Sequence, residues 1–484
     1  MRGWLSQSAR VDPIFLRWAE RRMSRGLSIS TQTRPGGSWF AKSEFQLATL
    51  IALAVFFGGG GSGAGVSNAV VQIWALLLLA VNGDKVEQFF RTAPVSLRVL
   101  VVCTLLLPAL QLVPLPPAIW QALPGRDPAQ QTFELLGSGD VWQPISLWPM
   151  RTLLALLGLI VPFTALVLAS DLQGTRRLWP FGAIVLMGGV NCLLGAIQLA
   201  TGNVQGNLYG GRVDPNQVYG TFANHNTAGI FLVFALVALL PFLDGLGKWR
   251  WARSGIWLYG LVAIFALACV LTQSRSAVGV MAFAVVALAI WIVRRRGGGS
   301  LRVGRSALII GGGVILAGSL IAAGVASTHR GSAVVQRYLA WESGDARATL
   351  WPEAYDSAKR FMPVGAGVGA FSAVFDLEES LETLDHGKAG RAHNELLEVA
   401  IESGLVGMLL LAAWGIVLVV GGVRCGFLGS SGTRFGAALI LTCASLQSLV
   451  DYPLRSQAGL GVAGVMVALL LTGSRRGRQH VSGH

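Results

Sequence analysis

Long apolar runs recur along the chain, separated by short polar stretches. A helix needs about 17–25 mostly apolar residues to cross a bilayer. Twelve segments meet or approach that length: 44–57 (the shortest), 66–81, 96–113, 150–170, 178–200, 226–243, 255–273, 275–293, 306–325, 395–421, 434–450 and 457–472. Helices are expected there, because only helices and closed barrels satisfy their backbone within lipid. The runs are too long and unbroken for barrel strands. Two polar stretches interrupt the pattern, 114–149 and the longer Ala326–Asn394. The expected organisation is a basic tail (1–43), helices one to nine (44–325) with the loop 114–149 among them, a large loop domain (326–394), three further helices (395–472) and a second basic tail (473–484).

Composition agrees with the pattern. The 484 residues are 53% hydrophobic and only 13% charged, against about 25% charged for a soluble domain. The net charge of +14 does not mark a nucleic-acid binder, since the basic residues sit in short loops between apolar runs rather than in a phosphate-tracking stripe. With the N-terminus in the cytoplasm and the spans alternating, most of the 38 Lys and Arg fall on the inner side, as the positive-inside rule requires. Both termini are then cytoplasmic, and 114–149 and 326–394 lie on the outer face. The first 43 residues lack an apolar h-region, so no cleavable signal peptide is expected. Within them, Asp12 and Pro13 could open an interfacial helix over 11–23 with Ile14, Phe15 and Trp18 on its apolar face; a tail that only fixes topology reads equally well. The five cysteines form no disulfide framework.

The long loop carries three of the six histidines (His329, His386, His393) and Arg330, Arg337, Arg347, Lys359, Arg360, Lys388 and Arg391. Residues 347–361 have helical patterning, Val364–Phe371 (VGAGVGAF) reads as a glycine-rich turn, and 376–385 as an acidic amphipathic stretch. Asn394 suits an N-cap, with Glu395 in the first turn of the next helix.

Three places could carry chemistry. Arg275 lies in a tight turn between two spans, Gln273-Ser274-Arg275-Ser276. A cation there either snorkels to the interface or docks an anion such as a lipid phosphate through its planar fork of donors. His393, in Arg391-Ala392-His393-Asn394-Glu395, starts a helix at the membrane edge. It is either a solvated interfacial histidine or a general base, with Glu395 and Glu398 as candidates to orient it. His225, in Asn224-His225-Asn226, poses the same choice. The glycine-rich 364–371 has no Rossmann context, 58–65 is not a P-loop, the acidic run lacks metal-ligand spacing, and neither a zinc pattern nor a transporter-type repeat is present.

These residues resemble the O-antigen ligase and O-antigen polymerase superfamily of bacterial membrane glycosyltransferases. The match rests on Thr221–Gly229 opening a span, on Leu271–Ala277 between two spans, and on Arg347, Trp351, Pro363–Gly367 and Arg391–Glu395 around one long outer loop, together about residues 220–420. The resemblance implies an all-α polytopic protein of about twelve transmembrane helices with one large periplasmic loop domain, GT-C-like, in the bacterial inner membrane. It implies an inverting, metal-independent transfer, without cofactor, from a glycan on undecaprenyl diphosphate to a sugar hydroxyl at the periplasmic face. His393 would be the base, and Arg275 and Arg347 would bind the diphosphate. Arg212 is set beside them as a third cation, although no motif matches it. Arg391, Asn394, Glu395, Glu398, Asn224 and His225 would support them; His225 stands where another polar residue is expected, so its role is open.

Family members polymerise lipid-linked repeat units, attach a finished glycan to lipid A-core, or glycosylate proteins. The long N-terminal tail and the sizeable loop 114–149 point towards a polymerase of a surface polysaccharide. The implied partners are the lipid-linked donor, a lipid-linked glycan or lipid A-core acceptor, membrane lipids, and polysaccharide chain-length or export proteins, with no nucleic acid. The rival class is a flippase for a lipid-linked glycan. Few ionisable residues lie at mid-span and no paired broken helices mark two halves, which favours the enzyme.

Overall fold

A computed structural model describes residues 42–61, 64–210, 213–245, 256–296, 347–380, 390–424 and 431–472. In chain order the elements are α1 (Ser43–Phe57), α2 (Gly65–Val81), α3 (Gly83–Thr92), α4 (Val95–Gln111), β1 (Pro114–Leu115), α5 (Pro117–Trp120), α6 (Asp127–Leu135), β2 (Gln143–Pro144), α7 (Pro149–Gly158), α8 (Ile160–Asp171), α9 (Trp179–Ala200), α10 (His225–Gly245), α11 (Ile256–Leu271) and α12 (Arg275–Arg296). They continue with α13 (Arg347–Phe361), α14 (Phe371–Glu378), α15 (Glu395–Arg424), α16 (Gly432–Ser448) and α17 (Gln457–Leu471), with short 3-10 turns at Gly174–Leu178 and Pro453–Arg455. The two strands form a single antiparallel rung pairing Pro114 with Pro144 and Leu115 with Gln143.

The expected spans are helical wherever they are described; the ninth, 306–325, and the N-terminal stretch 11–23 lie outside the described residues. Five described stretches are long and apolar enough to cross a membrane: Pro149–Asp171, Gly174–Ala200, His225–Gly245, Arg275–Arg295 and Glu395–Arg424. The bent pair α2–α3, turning by 79°, would be a sixth. The protein is thus a mostly helical membrane protein. Two spans depart from the simple reading. The run 150–170 is two helices, because Pro162 has no N–H to return to the turn before it. The run 395–421 is interrupted at Gly404 (φ 55°, ψ −147°).

Helix α10 is buried along nearly its whole length. An all-round apolar helix belongs at the centre of a bundle, and α9, α11, α12 and α16 enclose it. Helices α1, α8 and α17 form the adjoining part of the same core. The outer helices α2, α4 and the second half of α15 keep Leu, Val and Ile exposed, as lipid-facing helices do.

A second, smaller core lies beyond the bundle. It joins Leu350, Ala354, Ala358 and Phe361 of α13 to Phe371, Val374 and Phe375 of α14 and to Ala400 and Ile401 of α15. The glycine-rich stretch is a turn, as expected, with positive φ at Gly365, Gly367 and Gly369. It lodges in the break of α15: Ala366 N donates to Ile401 O (2.8 Å), Gly367 N to Glu402 O (2.8 Å) and Leu405 N to Pro363 O (2.8 Å). A Cβ on Gly404 would stand 2.1 Å from Pro363 O, so no larger residue fits the break. The loop 114–149 braces the same turn. Arg126, almost wholly buried, donates to Ile145 O (2.5 Å) and Gly365 O (2.9 Å), and its burial lowers its pKa to about 10.

Candidate functional site

The turn 390–394 is fixed from three directions. Trp351 Nε1 donates to Ala392 O at 3.0 Å, and Ala392 N donates to Glu398 Oε1 at 3.0 Å. Asn394 caps α15 as expected, its Oδ1 accepting from Leu396 N (2.9 Å) and Leu397 N (3.2 Å). Between these anchors His393 takes a left-handed conformation (φ 49°), unusual for a residue with a Cβ. Its ring is 34% exposed and its Nδ1 lies 3.1 Å from Oδ1 of Asp451, which is 1% exposed.

This corrects one expectation. The carboxylate that orients His393 is Asp451, from the turn between α16 and α17, and not Glu395 or Glu398. Those two, with Glu402, follow one face of α15 and clamp that turn. Glu395 Oε1 accepts from Leu454 N at 2.7 Å. Glu398 Oε2 meets Arg391 Nη1 (3.0 Å) and Arg455 Nε (3.4 Å), and Glu402 Oε2 meets Arg455 Nη1 (2.6 Å). Burial alone would lower the pKa of Arg455, but the charges of Glu402, Glu398 and Glu395 outweigh it and raise it, so this guanidinium stays charged. Tyr452, next to Asp451, sets its ring 5.0 Å from that of His393 and 5.9 Å from the Arg391 guanidinium. Burial, with the Asp451 charge behind it, pushes the Tyr452 hydroxyl up to about 12.

The Arg275 turn meets the same region. Gln273 is left-handed (φ 58°), and the chain reverses so that Arg275, exposed, becomes the first residue of α12. Gln447 Nε2 of α16 donates to Ser276 Oγ at 2.9 Å, and the same Gln447 accepts from Asp451 N at 2.8 Å through its backbone. One hydrogen-bonded path therefore joins the Arg275 turn to the partner of His393. A second runs through the start of α10: His225 Nδ1 is 2.9 Å from Thr272 O, and Asn224 Nδ2 donates to Tyr452 Oη at 2.7 Å. The three stretches 221–229, 271–277 and 391–395, far apart in the chain, converge on 447–455.

Residues 260–412 match the family model described as O-antigen ligase. That match supports the O-antigen ligase and polymerase superfamily. The match supports an enzyme of glycosyltransferase type, and the apolar helices agree with a membrane setting. No curated protein matches the chain.

The matched residues include Arg275, Arg347, Arg391 and His393, but the site is completed from outside them. Asn224 and His225 precede the matched residues; Gln447, Asp451, Tyr452 and Arg455 follow them. Arg347 opens α13 one turn before Trp351, whose indole holds the His393 turn. Arg212 lies outside the described residues. Among the described residues no three His, Cys, Asp or Glu side chains gather as a metal site. Asp451 escaped the sequence reading because Asp451-Tyr452-Pro453-Leu454-Arg455 looks like a short polar turn between spans. Its signal is an acid and a base four residues apart at a span end, where charge is costly unless paired.

The arrangement suits proton removal. A carboxylate only accepts, so Asp451 assigns the proton to Nδ1 of His393 and leaves Nε2 as the proton acceptor. The same logic orients the histidine of other base–carboxylate pairs.

Proposed function

We propose that the protein transfers a glycan from undecaprenyl diphosphate to a sugar hydroxyl at the periplasmic face of the inner membrane, most simply by polymerising lipid-linked repeat units. The observation that carries this reading is the buried Asp451 held against a partly exposed His393, tied through Gln447 and Ser276 to the turn that presents Arg275. In the reaction, His393 Nε2 takes the proton of the acceptor hydroxyl. The acceptor oxygen forms a bond to the anomeric carbon from the face opposite the diphosphate, with inversion. The bond from that carbon to the phosphate oxygen breaks, and the diphosphate leaves with the electron pair. Charge grows on that leaving group, and arginines fixed near a low-dielectric slab stabilise it. Arg275 and Arg347 take that role, with Arg212 as the third cation. Metal independence is part of the proposal, and activity that survives EDTA would support it.

The test uses purified protein in nanodiscs, given one lipid-diphosphate-linked repeat unit and no second acceptor. A ladder of growing chains, absent with His393→Ala, is the expected result. No ladder, but transfer once lipid A-core is added, would make the protein a ligase on the same chemistry. Transport of the lipid-linked glycan unaffected by His393→Ala, with no transfer to either acceptor, would overturn the enzyme reading in favour of a flippase. Arg275→Lys should be impaired, because a lysine cannot grip a phosphate with two parallel bonds; full activity would refute the bidentate contact.

A further inference from the structure

Asn224 and His225 open α10 and reach two different halves of the site. Asn224 is itself immobilised: its Oδ1 accepts from Asn226 N (2.7 Å) and its backbone oxygen from Ala228 N (3.0 Å). Its Nδ2 donates to Tyr452 Oη at 2.7 Å, and the Tyr452 ring stands against the His393 ring. One residue on, His225 Nδ1 lies 2.9 Å from Thr272 O. A carbonyl only accepts, so Nδ1 is the donor. Thr272 immediately precedes the left-handed Gln273, and the turn delivers Arg275 two residues later. That turn is also held by Val218 N to Leu271 O (3.1 Å) and Gln273 Nε2 to Asn216 O (3.0 Å). These bonds fix Leu271 and Gln273; the Thr272 carbonyl between them is fixed by His225. Both arms spring from the start of a helix that is buried along nearly its whole length, which gives them a well-packed base.

We propose that Asn224 and His225 form a two-armed bracket that sets the spacing between the anion-binding arginine and the proton-accepting histidine. His225 is a positioning residue for Arg275, and Asn224 is a positioning residue for His393 through Tyr452. The inference rests on the function proposed above, and it assigns the two arms to different steps. His225 governs how tightly the lipid diphosphate is held. Asn224 governs how fast the bound donor reacts.

The experiment uses the full chain in nanodiscs with two readouts: the Kd for undecaprenyl diphosphate bearing no glycan, and the single-turnover rate with a lipid-linked repeat unit. Losing one hydrogen bond that fixes a ligand-holding turn is worth about fivefold to tenfold. His225→Ala should weaken undecaprenyl diphosphate by that factor. His225→Asn, whose Nδ2 stands near the position of Nδ1, should bind within about twofold of wild type, whereas His225→Gln, whose amide stands near Nε2, should bind like the alanine variant. Asn224→Ala should keep the wild-type Kd and lower the single-turnover rate by the same factor. If His225→Ala fails to fold, the Asn and Gln variants decide between themselves. Wild-type affinity in His225→Ala, equal weakening in His225→Asn and His225→Gln, or the same loss of affinity in Asn224→Ala would each overturn the bracket. A wild type that does not bind undecaprenyl diphosphate, or Arg275→Ala binding as wild type, would overturn the functional reading and the bracket together. Arg275→Ala weakened with His225→Ala unchanged would overturn the bracket alone.

Discussion

Replacing Asp451 by Asn tests the centre of the site with one atom changed in kind. The carboxylate is 1% exposed and 3.1 Å from Nδ1 of His393. A hydrogen bond to a charged group is worth about 1.5–3 kcal/mol, and each ~1.36 kcal/mol is a tenfold change in rate. Loss of the carboxylate alone, as in Asp451→Ala, should therefore slow transfer by about ten- to 150-fold. Asparagine should do worse than alanine, although it fills the space better. Its amide can donate to Nδ1, which moves the imidazole proton to Nε2, the nitrogen that must accept one. A base locked in the wrong tautomer loses up to about 10⁴-fold, the figure known for the serine-protease triad. The assay is single-turnover transfer from a lipid-linked repeat unit at saturating donor, with thermal melting in detergent to confirm that each variant folds. The expected order is wild type, then Asp451→Ala, then Asp451→Asn, with donor affinity unchanged. Transfer by Asp451→Asn within tenfold of wild type, while His393→Ala is inactive, would refute the assignment of the tautomer to Asp451.

Three further expectations follow from other parts of the structure. Arg455→Met leaves Glu398 and Glu402 short of a buried partner, and breaking such a pair costs about 3–5 kcal/mol; a melting temperature in detergent equal to wild type would count against the clamp. Gly404→Ala places a Cβ 2.1 Å from Pro363 O at a left-handed position, which should cost about 1–3 kcal/mol or more and expose 363–369 to limited proteolysis; unchanged proteolysis would show that the turn does not lodge there. Tyr452 titrates at about 12 when folded, above the usual value of about 10. Its raised value contributes stability that is present below pH ~10 and lost as pH rises towards ~12, so wild type should lose melting temperature faster than Tyr452→Phe over that window, and parallel curves would contradict it.

The bundle was legible because lipid imposes a single demand on every span, a long apolar run, and that demand is written locally. The N-cap at Asn394 and the helix over 347–361 were legible for the same reason, since capping and amphipathic patterning act within a few residues. The glycine-rich 364–371 announced a turn but not its berth, because the break at Gly404 looks like any glycine within a span. The histidine was visible and its partner was not. Glu395 and Glu398 lie beside His393 in sequence, whereas Asp451 lies 58 residues away. Helical geometry sends the two glutamates to Leu454, Arg391 and Arg455 instead. Proximity along the chain suggested the wrong acid, because Glu395 and Glu398 are already taken up by Leu454, Ala392, Arg391 and Arg455, which leaves His393 to a carboxylate from another turn.

The interruption of α15 has a mechanical meaning. Residues 395–403 are hydrogen-bonded to the glycine-rich turn and to the 452–455 turn, while residues 405–424 present an exposed apolar flank. A helix without a break would act as a lever, so that any tilt imposed on its lipid-facing half by a thicker or thinner bilayer would swing its first turn. With the joint at Gly404 clamped to a neighbouring loop, a lean of residues 405–424 with the membrane would leave residues 395–403 in place. On the proposed function, a joint of this kind would insulate the proton-accepting histidine from the thickness of the surrounding bilayer.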